Sequence, residues 1–254
     1  MKKAPFALAA TALLLTACGS TGTTTESGVS LINEGKLTVC TNPPYAPFEY
    51  EENGKIVGLD ADIAAAIASD LGVEAEMFST AFEGIQSGVA LSSGQCDIAF
   101  SGITVTEERA TVMTFTDSYV DDNLAILVPA GSDITSDADL SGRKIGVQQA
   151  TSGEKYAQEA GAETVQYEDN GLLLQAVQTG QVDGIVGNIT VLSEMLTSDD
   201  TLTVVQEIET GEKIAGAVAT ENTALLEAAN GTLQKMEEDG RLAELREKYL
   251  GVSQ

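Results

Sequence analysis

The pattern of apolar and polar positions along the chain predicts short strands that alternate with helices. Apolar runs of strand length lie at 37–41, 74–78 and 97–100. A helix capped by Asp60 separates the first two runs, and a helix over 82–91 separates the last two. Strands joined by helices in this order predict a parallel sheet and an α/β fold.

The rest of the chain repeats this alternation, which predicts a second α/β unit followed by returning helices. The later strands are predicted at 144–147, 164–167, 182–186, 202–208 and 214–219, and the later helices at 154–159, 172–178, 189–196, 224–238 and 241–249.

The two units share a short sequence similarity. SGQCDIAF at 93–100 parallels TGQVDGIV at 179–186, and each follows a predicted helix. The alignment puts Gly102 and Asn188 at matching strand ends, where open α/β sheets bind ligands. If the units face each other, these residues look across one cleft; a chance likeness of two helix–strand units is the alternative.

The segment 101–109 joins the first of these strand ends to a predicted helix. Thr106 has the character of a helix N-cap, and Arg109 would lie in the first turn. Free N–H groups at such a turn suit an anion, and Arg109 would add a planar pair of donors for a carboxylate. A surface arginine paired with a neighbouring glutamate is the other interpretation, and these residues alone leave both open.

Composition and charge restrict the number of domains and the classes of partner that the protein can have. The chain has 254 residues, 43% of them hydrophobic, which fits one large domain or two of about a hundred residues. It carries 13 lysines and arginines against 39 aspartates and glutamates, for a net charge of −26. Nucleic acid is excluded as a partner because phosphate binding needs concentrated positive charge.

The N-terminus, 1–18, resembles a bacterial lipoprotein signal peptide. Lys2 and Lys3 precede an apolar stretch at 6–15, and LTAC closes it at Cys18. The resemblance implies cleavage before Cys18, a lipid on that residue, and a location at the outer face of the cell membrane. A plain secretory signal is the alternative. The Gly/Ser/Thr-rich stretch that follows predicts a flexible tether, 19–35.

Two cysteines remain in the expected oxidising compartment. Cys40 follows the run 37–39 near the end of the first strand, and Cys96 immediately precedes the strand at 97–100. If these strands are neighbours, their sulfur atoms come within bridging range, which predicts a disulfide. Two small buried thiols are the alternative.

Several motifs occur together in one order: PYAPFEY at 44–50, GLDADI at 58–63, GITVTEER at 102–109 and FTDSY at 115–119. With them the chain resembles the bacterial extracellular solute-binding proteins of family 3, which serve ABC importers of polar amino acids. The resemblance implies a two-lobe periplasmic-binding-protein-like fold of type II, with two hinge strands and the ligand in the cleft. It also implies lobe boundaries, namely 36–120 plus 216–254 for lobe one and 121–215 for lobe two.

The resemblance further implies a set of ligand contacts. Arg109 would bind the ligand α-carboxylate, Gly102 and Thr104 the α-ammonium, and Tyr45 and Phe82 the two faces of the side chain. The implied ligand-binding residues are Asn42, Tyr45, Phe82, Ser101, Gly102, Thr104, Arg109, Gln148, Thr151, Ser152 and Asn188, with Gln149 a further candidate.

The chain departs from the family at Asn188, where an aspartate usually pairs with the ligand ammonium. Either a nearby acid such as Asp183 or Asp169 supplies the charge, or the ligand lacks an α-ammonium. Asn42 is likewise an amide where members for basic ligands carry an acid, and apart from Arg109 no cation falls among the implied contacts. The expected ligand is therefore a polar, uncharged amino acid.

The predicted function is that of a monomeric, lipid-anchored receptor that delivers an amino acid to an ABC permease, with no cofactor and no metal. A dehydratase on the same fold is the first alternative. It is disfavoured because the chain has no histidine and none of the implied cleft positions carries an acid. A ligand-sensing surface receptor without transport is the second, and the sequence does not separate it from transport.

Overall fold

The computed structural model describes residues 23–25 and 28–251. The strands are β1 Thr23–Thr24, β2 Ser30–Leu31, β3 Lys36–Thr41, β4 Tyr50–Glu52, β5 Lys55–Val57, β6 Glu74–Ser79, β7 Ile98–Ala99, β8 Thr114–Pro129, β9 Lys144–Gln148, β10 Glu163–Tyr167, β11 Gly184–Asn188 and β12 Leu202–Val218. The α-helices are α1 Leu59–Asp70, α2 Phe82–Gln86, α3 Val89–Ser92, α4 Ser152–Glu159, α5 Asn170–Gln178, α6 Ile189–Ser198, α7 Thr223–Glu238 and α8 Arg241–Leu250.

One sheet runs through the molecule in the order β10-β9-β11-β8-β12-β7-β3-β6. The three strands at each end of this order pair in parallel, as the strand–helix alternation predicts. We call β6, β3 and β7 with α1, α2, α3, α7 and α8 lobe one, and β10, β9 and β11 with α4, α5 and α6 lobe two. The predicted two-lobe α/β fold is confirmed.

The long strands β8 and β12 connect the lobes and pair antiparallel with each other. At the crossing, Val120 pairs with Ile214 and Asp122 pairs with Glu212. Beyond it, β8 pairs with β11 of lobe two, whereas β12 returns to pair with β7 of lobe one. The strands predicted separately at 202–208 and 214–219 are one strand with irregular register between Ile208 and Glu212.

The apolar packing is continuous from lobe one to lobe two, because one buried cluster includes Leu37 of β3 and Ile185 of β11. Ile63 and Ile67 of α1 are buried against lobe one, as their four-residue spacing predicts. Ile145 and Val147 of β9 are buried in lobe two. Among the described residues, no helix has the length and apolar character needed to span a membrane.

The predicted helix over 82–91 is broken into α2 and α3. Gly88 between them adopts a left-handed backbone, with φ 72°. A Cβ atom at Gly88 would lie 2.7 Å from the carbonyl oxygen of Val112. The break therefore depends on a close approach from a distant part of the chain, which helical periodicity does not reveal.

Two predicted helix caps are also wrong. Gly58, not Asp60, is the N-cap of α1, and the Asp60 carboxylate turns inward to other partners. Thr106 does accept a hydrogen bond from the Arg109 N–H, but the segment that follows is a 3₁₀ turn, Arg109–Thr111. Arg109 therefore does not lie in the first turn of an α-helix, as the sequence predicted.

The predicted flexible tether, 19–35, is partly wrong, because its C-terminal part packs on lobe one. Val29 and Leu31 are buried, and the Ile32 N–H donates to Asp97 at 2.8 Å. Their apolar side chains bury enough surface to order this segment. The predicted signal peptide, 1–18, with Cys18 lies outside the described residues.

Cys40 and Cys96 form a disulfide, with their Cα atoms 5.6 Å apart. The disulfide was predicted on the condition that the two strands are neighbours. This condition is met, because β3 and β7 are parallel neighbours and Cys40 pairs with Ala99. Both cysteines are buried with Ile85 and Ile103, at the base of the segment that carries Arg109.

Removing this disulfide is expected to destabilise the protein without abolishing its fold. The bridge closes a loop with a sequence separation of 56. Because it restricts the unfolded chain, Cys40→Ser/Cys96→Ser should lower the free energy of unfolding by about 2 to 4 kcal/mol. Urea unfolding of the variant and the oxidised wild type measures this difference. Alkylation of Cys40 or Cys96 in the denatured, unreduced wild type would contradict the assignment.

Candidate functional site

Arg109 lies between the lobes. Its Nη1 donates to the Thr104 carbonyl oxygen at 2.8 Å, and its Nη2 donates to the Ala150 carbonyl oxygen of lobe two at 3.0 Å. The guanidinium also lies over the Phe82 ring, 5.1 Å from its centroid. Only 5% of Arg109 is exposed, so a fully charged group is held at the junction with one carbonyl from each lobe.

The N-terminus of α4 faces the same junction from lobe two. Thr151 is the N-cap, and its hydroxyl accepts from the Glu154 N–H. The preceding Ala150 has a positive φ of 65°, unusual for a residue with a side chain. Thr151, Ser152 and Arg109 line a cavity of about 650 Å³. The Ser152 hydroxyl is buried and has no partner among the described residues. A helix N-terminus and an arginine beside one cavity can bind a carboxylate.

The Gly102 and Asn188 turns face each other, with Tyr45 between them. The Tyr45 hydroxyl donates to Asn188 Oδ1 at 2.9 Å. On its other side the ring fits against Gly102, where a Cβ atom would come within 2.5 Å of it. Gly102 has φ 52°, a left-handed conformation that suits glycine. The internal sequence similarity therefore located two turns that meet through one tyrosine.

A chain of polar groups connects the lobes at the Asn42 end of the junction. Gln148 Nε2 donates to Asn42 Oδ1 at 3.0 Å, and Asn42 Nδ2 donates to the Thr80 carbonyl oxygen. Gln148 is buried, and its Oε1 receives no hydrogen bond from the described residues. The Ser101 hydroxyl donates to Glu49 at 2.6 Å and accepts from the Asn42 N–H.

Phe82 and Gln149 also contact partners at this junction. Phe82 is buried beneath the Arg109 guanidinium, whereas Tyr45 stacks with Phe48 at 5.9 Å between ring centroids. Gln149 donates to Glu83 at 3.2 Å in an exposed contact. The ligand-binding residues predicted from the sequence therefore lie along the interface of the lobes.

Glu212 on the crossing strand β12 is a site residue that the sequence analysis missed. Its Oε2 accepts from Asn188 Nδ2 at 2.9 Å and from the Thr104 hydroxyl at 3.2 Å. The acids considered in its place lie elsewhere: Asp183 accepts from the Lys144 N–H, and Asp169 caps α5. The signal available in the sequence was an acid beside Gly211, just before the strand predicted at 214–219.

Two buried carboxyl groups support the Gly102 turn from beneath. Asp60 accepts from the Gly102 N–H at 2.8 Å and from the Tyr119 hydroxyl at 2.6 Å. Burial raises the pKa of Asp60 to about 7, opposed by these hydrogen bonds and one from Glu49. Burial and the nearby Asp60 charge raise the pKa of Glu49 well above its usual range. The pair therefore holds at least one proton near neutral pH.

Two lobes joined by two crossing strands, with a buried arginine and a helix N-terminus at the junction, define a two-lobe solute-binding fold. The model of the family described as bacterial extracellular solute-binding proteins, family 3, matches residues 37–252. The chain belongs to this family. Its members are amino acid-binding extracellular proteins of ABC transporters, and the chain has their α/β fold.

Individual relatives cover nearly the whole chain. The arginine-binding extracellular protein ArtP of Bacillus subtilis is 33% identical over 92% of both chains. A solved structure of an ancestral arginine-binding protein bound to glutamine has a TM-score of 0.82 and 35% identity, covering 87% of this chain and all of the other. AncCDT-1, an ancestral amino acid-binding protein and precursor of cyclohexadienyl dehydratase, has a TM-score of 0.78 and 33% identity, covering 85% and 95%.

The buried carboxyl pair is expected to make the free energy of unfolding fall as pH rises. The folded-state pKa of Asp60 is about 7, above its ordinary 3.8. The stability that the protonated group confers is therefore fully present below about pH 4 and lost through about pH 7. Glu49→Gln removes one titrating group and offers Asp60 a permanent donor. Urea unfolding measures the result. Between about pH 5 and pH 8, the free energy of unfolding of Glu49→Gln should fall by at least about 1 kcal/mol less than that of wild type.

Glu51→Gln is the matched control for this experiment. Glu51 is an exposed glutamate on β4, two residues from Glu49, and its replacement removes the same charge. It should leave the wild-type pH dependence unchanged. Parallel pH profiles for Glu49→Gln and wild type would show that the buried pair does not titrate in this range.

Proposed function

We propose that the protein captures a polar, uncharged amino acid between its lobes and presents it to an ABC permease. The observation that carries the proposal is the burial of Arg109 between the lobes, where it donates to one carbonyl oxygen from each. A ligand carboxylate would replace the Ala150 carbonyl and accept from the guanidinium and from the Thr151 and Ser152 N–H groups. A carboxylate satisfies such donors better than a neutral carbonyl because its hydrogen bonds are charge-assisted.

The polar groups at the far end support an uncharged side chain. Asn42 offers an amide, and the buried Gln148 Oε1 is an acceptor without a partner among the described residues. A ligand amide could donate to Gln148 and accept from Asn42 in place of their mutual bond. A guanidinium or ammonium at this end would require a carboxylate partner, and the carboxyl group bonded to Ser101, Glu49, is buried with its pKa raised well above its usual range. Glutamine and asparagine are therefore the preferred candidates, although ArtP is named for arginine.

The remaining contacts complete a two-sided pocket in this proposal. Tyr45 and Phe82 bracket the ligand side chain, Ser101 supports Asn42, and Gly102 and Thr104 approach the α-ammonium. The lobes extend over 36–120 plus 216–254 and over 121–215. A lipid on Cys18 would hold the monomer at the outer face of the membrane, close to the permease.

Binding without catalysis is favoured over the dehydratase alternative. Glu212 is an acid that lies at the junction, although none of the cleft positions implied by the sequence carries one. Asn188 and Thr104 both donate to its Oε2, an arrangement that suits an anionic acceptor and not a general acid. The likeness to AncCDT-1, itself described as amino acid-binding, is compatible with a receptor.

Isothermal titration with the twenty standard amino acids tests the proposal, with L-glutamine expected among the tightest ligands. Arg109→Ala should weaken binding at least about 100-fold, because the ligand carboxylate loses its buried charged partner. Arg109→Lys keeps the charge but loses the planar pair of donors, so a loss of about 10-fold is expected.

Arg143→Ala is the matched control. Arg143 is a partly exposed arginine of lobe two that pairs with Asp133 at 2.6 Å. Its removal should leave ligand affinity unchanged. A wild-type protein that binds none of the amino acids would overturn the proposed function, and equal affinities for Arg109→Ala and wild type would overturn the role of Arg109.

A further inference from the structure

Asn188 ends strand β11 of lobe two, and its side-chain amide links Tyr45 of lobe one to Glu212 of the crossing strand. We propose that Glu212, on the crossing strand β12, is the carboxylate that binds the ligand α-ammonium, and that Asn188 positions it. The inference rests on the proposed function, since it requires a ligand with an ammonium group.

The hydrogen bonds of Glu212 place its carboxylate between the lobes. Its Oε2 accepts from Asn188 of lobe two at 2.9 Å and from the Thr104 hydroxyl of lobe one at 3.2 Å. Among the described residues, no group donates a hydrogen bond to Oε1. Glu212 is only partly buried, so one carboxylate oxygen is fixed and the other remains available to a donor.

Thr104 sets the spacing between the two charges of the site. Its carbonyl oxygen accepts from Arg109 at 2.8 Å, and its hydroxyl donates to Glu212 at 3.2 Å. Arg109 and Glu212 also line the same cavity of about 650 Å³. Thr104 therefore contacts both the cation and the anion of the site. Opposite charges on either side of one residue match an α-amino acid, whose carboxylate and ammonium are attached to one carbon atom.

An amide at position 188 is what this arrangement requires. Asn188 accepts from Tyr45 through Oδ1 and donates to Glu212 through Nδ2. An aspartate at 188 would lie at hydrogen-bonding distance from a second carboxylate, with no proton to share unless one of them stayed neutral. The asparagine is therefore the hydrogen-bond partner of an acid on the crossing strand.

Asp122 is the other acid at the crossing, but its contacts point away from this cavity. It is the cross-strand partner of Glu212, and its Oδ1 accepts from the Thr190 hydroxyl at 3.0 Å. It lines a separate cavity of about 560 Å³ on the α6 side, together with Glu194. Glu212 also lines that cavity, but of the two acids only Glu212 faces Arg109 as well.

The test compares amino acids with their deamino analogues. L-Glutamine is titrated first, or whichever standard amino acid wild type binds most tightly, and then the same molecule without its α-ammonium. Wild type should bind the amino acid at least about 10-fold more tightly than the analogue. Glu212→Gln should weaken amino acid binding by about 10- to 100-fold and leave binding of the analogue nearly unchanged.

Two further variants separate a binding role from a structural one. Asn188→Asp/Glu212→Gln returns the acid to lobe two and should recover most of the lost affinity. Glu209→Gln, an exposed glutamate on the same strand, removes the same charge and should bind as wild type does. Thermal unfolding of each variant verifies that it is folded.

The outcomes distinguish the two proposals. If amino acids bind and Glu212→Gln binds them equally well, the role of Glu212 is overturned and the proposed function stands. If wild type binds only ammonium-free acids, Glu212 is overturned as an ammonium partner, and the protein is a receptor for another class of solute. If Glu212→Gln weakens both members of the pair equally, its role is structural and the inference fails.

Discussion

The hydrogen bonds between the crossing strand β12 and the segment 103–105 are the constraint on which the site depends. The Val105 N–H donates to the Lys213 carbonyl oxygen at 2.8 Å, and the Ala215 N–H donates to the Ile103 carbonyl oxygen at 3.0 Å. These bonds fix Thr104 beside the strand that connects the lobes. The Arg109 segment is therefore attached to the hinge itself, and its position is set by the same strand that carries Glu212.

The contacts between the lobes use the groups that a ligand would need. Tyr45 donates to Asn188, Gln148 donates to Asn42, and Arg109 donates to Ala150. These bonds satisfy polar groups that would otherwise be buried without a partner when the lobes close, which costs free energy. In the proposed function a ligand replaces several of them, so its affinity would be the surplus of its own contacts over those it displaces. Specificity then depends on how well the ligand satisfies each exchanged group.

Local sequence patterns predicted the elements well and their long-range contacts poorly. The strand ends at Gly102 and Asn188 followed from short apolar runs, and the Cys40–Cys96 bridge followed from two strands becoming neighbours. Asp60 has the sequence character of a helix cap, but Gly102 and Tyr119, which are distant in sequence, take its carboxylate instead. Such partners are set by tertiary packing, which the residues next to Asp60 do not encode.

The Arg109 site shows the same limit. Its motif and its turn were visible in the sequence, so its position at the strand end could be predicted. Glu212 could not be, because its contacts with Thr104 and Asn188 join three segments that are far apart along the chain. An acid beside a glycine in a long strand has no local feature that marks it as part of a cleft.

The position of the acid also affects which step of binding it stabilises. An acid on lobe two reaches a ligand held by lobe one only when the lobes close, so its bond contributes to closure. Glu212 lies on the crossing strand, opposite Asp122, and is shared by both lobes. A ligand shifts an equilibrium only by its difference in affinity for the two states. With Glu212 as the proposed ammonium partner, that contact would contribute mainly to capture, and closure would depend on the proposed contacts from Gln148, Thr151 and Ser152.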